Sequence, residues 1–349
     1  MTRRIFSTII VLICFSLVCR AQKNDSTSLL TRPAHVGLIY PISTNGTSAA
    51  RYTNRFSLHA LAGVSAGETG CAIAGIANII KDSAAGAQFA GILNLIGGHA
   101  ESAQFAGILN VVKGKSRGLQ AAGLVNKAGS IEGLQVAGLS NTVRSESKGL
   151  QVAGLFNKAA DVNAQVAGLV NVARKVKGIQ LAGLINIADS SDYPIGLINM
   201  IGTGEKSIGI STDETLTTLL SLRSGGRVLY GILGLGYNLK SKSDLYALEG
   251  GMGGHLRISD RCRVNVEGTQ LYLDDFKRGS YFRSSVSVLP GVKIFRRLEI
   301  FAGPSISYMN CTNGKGEDLA DHYLWSRTNV QGHFQAWYIG ATGGLSFIL

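Results

Sequence analysis

Six histidines and a scatter of serines and acids are the residues from which this chain could build a reactive site. None of the histidines falls in an H-E-x-x-H pair or at metal spacing from a Cys, so no zinc centre is written here. Asp321-His322, in GEDLADHYLWSR, is the one acid–His neighbour pair. A base with its orienting acid is one reading of it; a pair on a loop surface is the simpler one. No G-x-S-x-G elbow occurs. A triad is recognised by geometry, and Ser305, Ser307, His255 and Glu267 are the residues a hydrolase could draw together from distant segments. GILGLG at Gly231 and GGMGGH at Gly250 mimic phosphate loops. Neither runs on into Lys-Ser/Thr, and glycines easing a strand are the better reading. The expectation is a chain with no catalytic residues, no metal and no cofactor.

What the chain does repeat is a pair of amides. QFAGILN begins at Gln88 and Gln104, QAAGLVN at Gln120, QVAGLSN at Gln135, QVAGLFN at Gln151, QVAGLVN at Gln165 and QLAGLIN at Gln180. The copies end at Asn94, Asn110, Asn126, Asn141, Asn157, Asn171 and Asn186, spaced 16, 16, 15, 16, 14 and 15 residues apart. Weaker copies end at Asn78 and Asn199. A period near 15 is an internal repeat.

A Gly in every copy and the absence of a 3.6-residue pattern exclude a helix. With a period of two, Gln, Ala, Leu or Ile and Asn share one face, and Gly with two variable residues forms the other. Of those fourteen variable positions, such as Phe89, Phe105, Val152 and Phe156, none is charged and one is Ser140. Such a face in water is an aggregation hazard; in hydrocarbon only its apolarity matters. The repeats therefore predict membrane strands of about eleven residues, with Gln88, Asn94, Gln104, Asn110, Gln120, Asn126, Gln135, Asn141, Gln151, Asn157, Gln165, Asn171, Gln180 and Asn186 lining a polar lumen. The alternative is a β-solenoid, one coil per repeat, with stacked Asn.

Beyond Asn199 the alternation continues in VLYGILGLGYNL, YFRSSVSVLPGVKI, LEIFAGPSISYMN and the closing WYIGATGGLSFIL, each with one apolar side. Pro290 and Pro304 mark weak points or bulges. Strand candidates number about eighteen, an even count that suits a bacterial barrel. The predicted class is all-β: an outer-membrane barrel of about 18 antiparallel strands or, alternatively, a solenoid followed by a C-terminal β domain. Residues 1–21 read as a signal peptide cut after Ala21, 22–33 as a flexible linker, 34–202 as repeat strands and 203–349 as C-terminal strands.

The G-x-Q-x-A-G-L-x-N array resembles a surface-repeat family of secreted bacterial proteins found in spirochaetes and Bacteroidetes. PIGLINMIGTGEKSIGIS and the leader ending in Ala-Gln resemble its Bacteroidetes version. The resemblance implies a surface or outer-membrane location and no reaction.

Loss of the leader removes three Arg and no acid, taking the formal charge from +12 to +9. The basic residues sit in short connectors such as KGKSR, without aromatic interleaving, so no nucleic-acid surface is expected. Cys71, Cys262 and Cys311 are too few and too scattered for a disulfide framework. The expected protein is a non-enzymatic surface barrel, structural or a passive pore, touching outer-membrane lipid and small solutes or surface glycans. A secreted or anchored solenoid binding an extracellular partner, and an outer-membrane hydrolase, are the other readings.

Overall fold

The computed structural model describes residues 30–241, 244–330 and 332–349. The leader and residues 22–29 of the expected linker lie outside the described residues. The remainder of that linker is ordered: a strand at Leu30–Ile39 pairs in parallel with Tyr52–Ser65. The fold is all-β, as expected, apart from one 3-10 turn at Gly46–Arg51.

The chain does not make one barrel of about eighteen strands. It makes two sheets, divided after Ile201. In the first, successive copies of the repeat stack in parallel, Gln88 on Gln104, Phe89 on Phe105 and Asn94 on Asn110. This is the solenoid alternative. Each copy is two short strands, such as Ala84–Ala90 and Leu93–Ile96, with a bend at Gly91-Ile92 between them. The reason is steric. A Cβ at Gly91, Gly107, Gly123 or Gly138 would lie 2.1 Å from the carbonyl oxygen of the matching Gly in the preceding coil. Only glycine lets the backbones approach there, and the bend turns the next residue, read as inward in a straight strand, out to the edge. Gly138→Ala should therefore destabilise the array by about 1–3 kcal/mol or more, since the obstacle is backbone and cannot swing aside. A shift of the urea midpoint at unchanged slope would report it.

The fourteen amides line no water-filled lumen; they are fully buried inside the solenoid. Each Asn donates to the next, from Asn78 through Asn94, Asn110, Asn126, Asn141, Asn157, Asn171 and Asn186 to Asn199, at 2.9–3.1 Å. The glutamines donate the opposite way, Gln180 to Gln165, Gln151, Gln135, Gln120 and Gln104, at 2.6–3.1 Å. Gln88 leaves that chain and donates to its own strand, at the Ala85 carbonyl. Burying an amide is costly unless it is bonded, and an identical partner in the next coil bonds it along both ladders; only at the ends of the glutamine run are oxygens, Gln88 Oε1 and Gln180 Oε1, left without a donor. The rest of the core is small: Ala128, Ile131, Val143 and Val162 in one cluster, Ile80, Ile96 and Val112 in another.

The second sheet is antiparallel and closed. Its barrel strands are β1 (Lys206–Asp213), β2 (Thr217–Gly225), β3 (Leu229–Asn238), β4 (Tyr246–Arg257), β5 (Cys262–Asp274), β6 (Tyr281–Phe295), β7 (Leu298–Thr312) and β8 (His333–Ile348), and a short ninth strand, Trp325–Thr328, pairs with the start of β8. β1 pairs with β8 through Ile208–Phe347 and Ile210–Leu345, which closes an eight-stranded barrel. The turns at 226–228, 258–261 and 296–297 crowd one end, where β1 begins and β8 finishes. Longer connections follow β3, β5 and β7 at the other end, the last of them carrying Trp325–Thr328. Pro290 and Pro304 face a gap in the β6–β7 ladder between Ser287–Ser305 and Gly291–Phe301, the irregularity their missing N–H groups predict.

The last coil of the solenoid ends on this barrel. The Asn199 backbone N–H donates to Ser224 Oγ at 3.0 Å, and its side-chain amide donates to the Ser224 carbonyl at 3.1 Å. Pro194 stands where the seven full copies carry Gln, so the glutamine ladder stops one coil earlier. Arg223, Tyr230 and Glu249 point into the barrel, so their neighbours Ser224, Gly231 and Gly250 face out. A Cβ at Gly231 would lie 2.2 Å from the Gly196 carbonyl oxygen, and one at Gly250 3.5 Å from Leu197 Cδ2. The coil thus packs on the outer wall of the barrel.

Candidate functional site

The barrel interior gathers the charges of the C-terminal half. Arg223 donates to Glu267 through Nε at 2.8 Å and Nη2 at 3.1 Å, and the Tyr230 hydroxyl donates to the same carboxylate at 2.8 Å. Nearer the short turns, Arg263 pairs with Glu299 (Nε–Oε1 2.9 Å) and Glu205. Toward the loops, Arg283 pairs with Asp213. Above these lies an apolar plug of Leu271, Leu273, Tyr281, Met309, Phe334 and Tyr338. The space left among Asp213, Arg223, Glu249, Glu267 and Arg283 is about 30 Å³, room for about one water. Alternation puts these residues inside because every second strand position is polar. Arg283, Ser285 and Ser287 already stand opposite Phe282, Val286 and Val288 in the sequence.

The residues considered for a hydrolase do share this interior, but not as a triad. Ser307 Oγ is 2.9 Å from Ser285 Oγ, and His255 Nδ1 is 2.8 Å from Asn265 Oδ1 while its ring stacks on Tyr230. Glu267 is committed to Arg223 and Tyr230. Asp321 and His322 are exposed, and Asp321 accepts from Lys240 at 2.6 Å. The glycines of GILGLG and GGMGGH lie within β3 and β4. A Cβ at Gly253 would lie 2.4 Å from the Tyr230 ring. Among the described residues, no three His, Cys, Asp or Glu converge as metal ligands, and Cys71, Cys262 and Cys311 are free thiols.

Outside, the barrel is apolar. Ile208, Leu220, Leu235, Leu248, Val266, Val288, Ile300 and Leu345 are exposed around the wall. Toward the loops a girdle of aromatic pairs circles it: Tyr237–Tyr246 at 5.8 Å, Tyr272–Phe282 at 4.8 Å and Tyr308–Trp337 at 5.1 Å between centroids. An apolar wall ending in an aromatic girdle is the pattern that lipid-facing barrels carry.

The solenoid carries a second apolar surface. At each glycine bend the following residue forms one edge column, Ile76, Ile92, Ile108, Leu124, Leu139, Leu155, Leu169, Leu184 and Leu197, which Leu61 extends beside Ala60 on the coil before; each is 36–45% exposed. The outward residues on either side, such as Phe105 and Val136, Leu109 and Phe156, widen it. No charged residue lies between the Gln and the Asn of any copy; Lys113, Lys115, Arg144, Glu146, Arg174 and Lys175 fall at the opposite bend. The period-two reading found the flanking columns and missed the edge itself, because the bend at Gly breaks the alternation.

A polar cluster lies under the first coil. His35 and His59 meet edge to face at 4.4 Å, Ser43 Oγ lies 2.9 Å from His35 Nε2, and Asn54 and Ser57 both donate to Glu68 Oε1. Burial, with repulsion from His35, pushes His59 down to about 4; burial also lowers His35 and raises Glu68. With this first coil unfolded His59 takes up a proton near pH 6.5, and with it folded only near 4, so stability present above pH 6.5 drains away as pH falls through that window. Glu68 acts in the opposite sense, one acid against two imidazoles. Amide exchange in Tyr52–Ser65, corrected for intrinsic rate, should speed up at pH 5 relative to pH 7, and His59→Gln should flatten the difference.

No protein-family model and no curated protein matches the chain. Two solved structures overlap it weakly. A de novo designed transmembrane β-barrel covers 42% of this chain and 93% of its own, at 13% identity and a TM-score of 0.25. OmpT, an outer-membrane protein of Vibrio cholerae, covers 38% of this chain and 56% of its own, at 13% identity and a TM-score of 0.17.

Proposed function

We propose that this protein is a non-enzymatic outer-membrane β-barrel protein with a structural role, its barrel the membrane anchor of the repeat array. One observation carries the reading: eight antiparallel strands close with side chains inverted relative to a soluble protein, ions within and aliphatic residues without. A closed barrel leaves no backbone group unpaired in hydrocarbon. In bacterial outer-membrane barrels the short turns face the periplasm, which puts the solenoid on that side and leaves the long connection after β7 for the surface. The filled interior supports a structural role over a passive pore. Lipid is the partner this reading requires.

Carbonate extraction of membranes, with electrophoresis before and after boiling, tests the anchor. The expected result is a protein that stays in the membrane fraction and changes mobility on heating. Release by carbonate with a single mobility would end the reading. Planar bilayers should show no steady conductance, and a stepwise current would restore the pore.

A further inference from the structure

We infer that the solenoid lies in the plane of the membrane, with its Ile/Leu edge sunk among the acyl chains of the leaflet at the short-turn end of the barrel. This rests on the barrel being membrane-spanning.

The last coil sets the depth. Its glycine bend places Leu197 against Gly231 and Gly250, on the outer wall of the barrel, with Gly231 five residues up the chain from Gly226 in the short turn. At about 3.3 Å per residue and a tilt of about 40°, that is roughly 13 Å above the turn. The opposite bend of the same coil stays at the turns: a Cβ on Gly226 would lie 2.5 Å from the Ser191 carbonyl oxygen, and Asp192 pairs with Arg227 at 3.4 Å. One edge of the coil therefore stands at the level of the barrel's aliphatic band and the other at its rim. In-register parallel stacking carries that arrangement outward from coil to coil.

The chemistry of the two edges follows the same division. The deep edge is an unbroken column of Ile and Leu, and the other bears the connectors with Arg144, Arg174 and Lys175. Hydrocarbon also demands paired backbone. The edge meets this, because its bend N–H groups donate to the coil before: Ile92 to Ile76 at 2.9 Å and Leu139 to Leu124 at 2.9 Å. Where Ala121 stands between Phe105 and Val136, an apolar groove of about 410 Å³ opens beside the edge, a seat of acyl-chain character. The array is thus a monotopic element continuous with the lipid-facing wall of its own barrel.

Brominated phospholipids, which quench tryptophan within the acyl region, test this in reconstituted full-length protein. Trp325→Phe leaves Trp337 on the barrel wall as the internal reference. In a background with both tryptophans changed to Phe, Leu139→Trp and Leu124→Trp report the deep edge and Arg144→Trp the other, each accepted only if heat-dependent mobility is retained. The edge tryptophans should lose on the order of half their emission, as expected for side chains buried past the headgroups, and the Arg144→Trp protein little. Quenching of Trp337 without quenching at either edge position overturns the inference and leaves the barrel reading standing. Equal quenching at Arg144→Trp also overturns it. If Trp337 itself escapes the bromines, both readings fall together.

Discussion

Replacing Glu267 by Ala should cost about 3–5 kcal/mol, because Arg223 then stays buried without its carboxylate and the Tyr230 hydroxyl loses its acceptor. Glu267 touches the lumen's centre from β5, Arg223 reaches it from β2 and Tyr230 from β3, so one carboxylate ties three strands. Glu267→Gln keeps the volume and the tyrosine acceptor, and the loss should be smaller. The double change Arg223→Leu with Glu267→Leu should recover much of the deficit, since it removes both ions. Guanidinium unfolding in detergent micelles, followed by fluorescence, gives the comparison. If Glu267→Ala unfolds at the wild-type midpoint, the ionic network is not what holds the interior.

Val288→Lys should destabilise the inserted barrel by about 2–4 kcal/mol, while Ile294→Lys, nearer the short turns, should cost at most about 1. Both side chains face outward on β6 and both are exposed. A barrel standing in water would accept either lysine with little change, since an exposed charge is already solvated. The difference between the two positions therefore measures the hydrocarbon around the wall and not the fold. Reversible unfolding from lipid vesicles would provide it; equal, near-zero costs would argue that no bilayer surrounds this strand.

The C-terminal strands were legible in the sequence because alternation is all a barrel wall asks. Phe282, Val286, Val288, Val292 and Ile294 stand outside and Arg283, Ser285 and Ser287 inside, as a period of two places them. The repeats were legible as strands with an apolar second surface, but their amides, read as lining a polar lumen, lie buried in a solenoid core. The pairing of the repeats was not legible. Gln135 beside Gln151 in parallel and the same residues in an antiparallel hairpin have identical periodicity, and only the carbonyl above each glycine tells them apart. The leucine after that glycine was misplaced for the same reason, being read as inward and found at the edge. Which strands meet across the barrel, and hence that Arg223 finds Glu267, depends on contacts 44 residues apart that no local pattern records.

Asn199 giving its last hydrogen bonds to Ser224 has a consequence for assembly. A parallel stack exposes a row of unused donors and acceptors on its terminal coil, a template on which another molecule's repeats could continue growing. Here the chain's own barrel is the stopper. Cut free after Ile201, the array should polymerise end to end, so the anchor also limits the stack to a finite length.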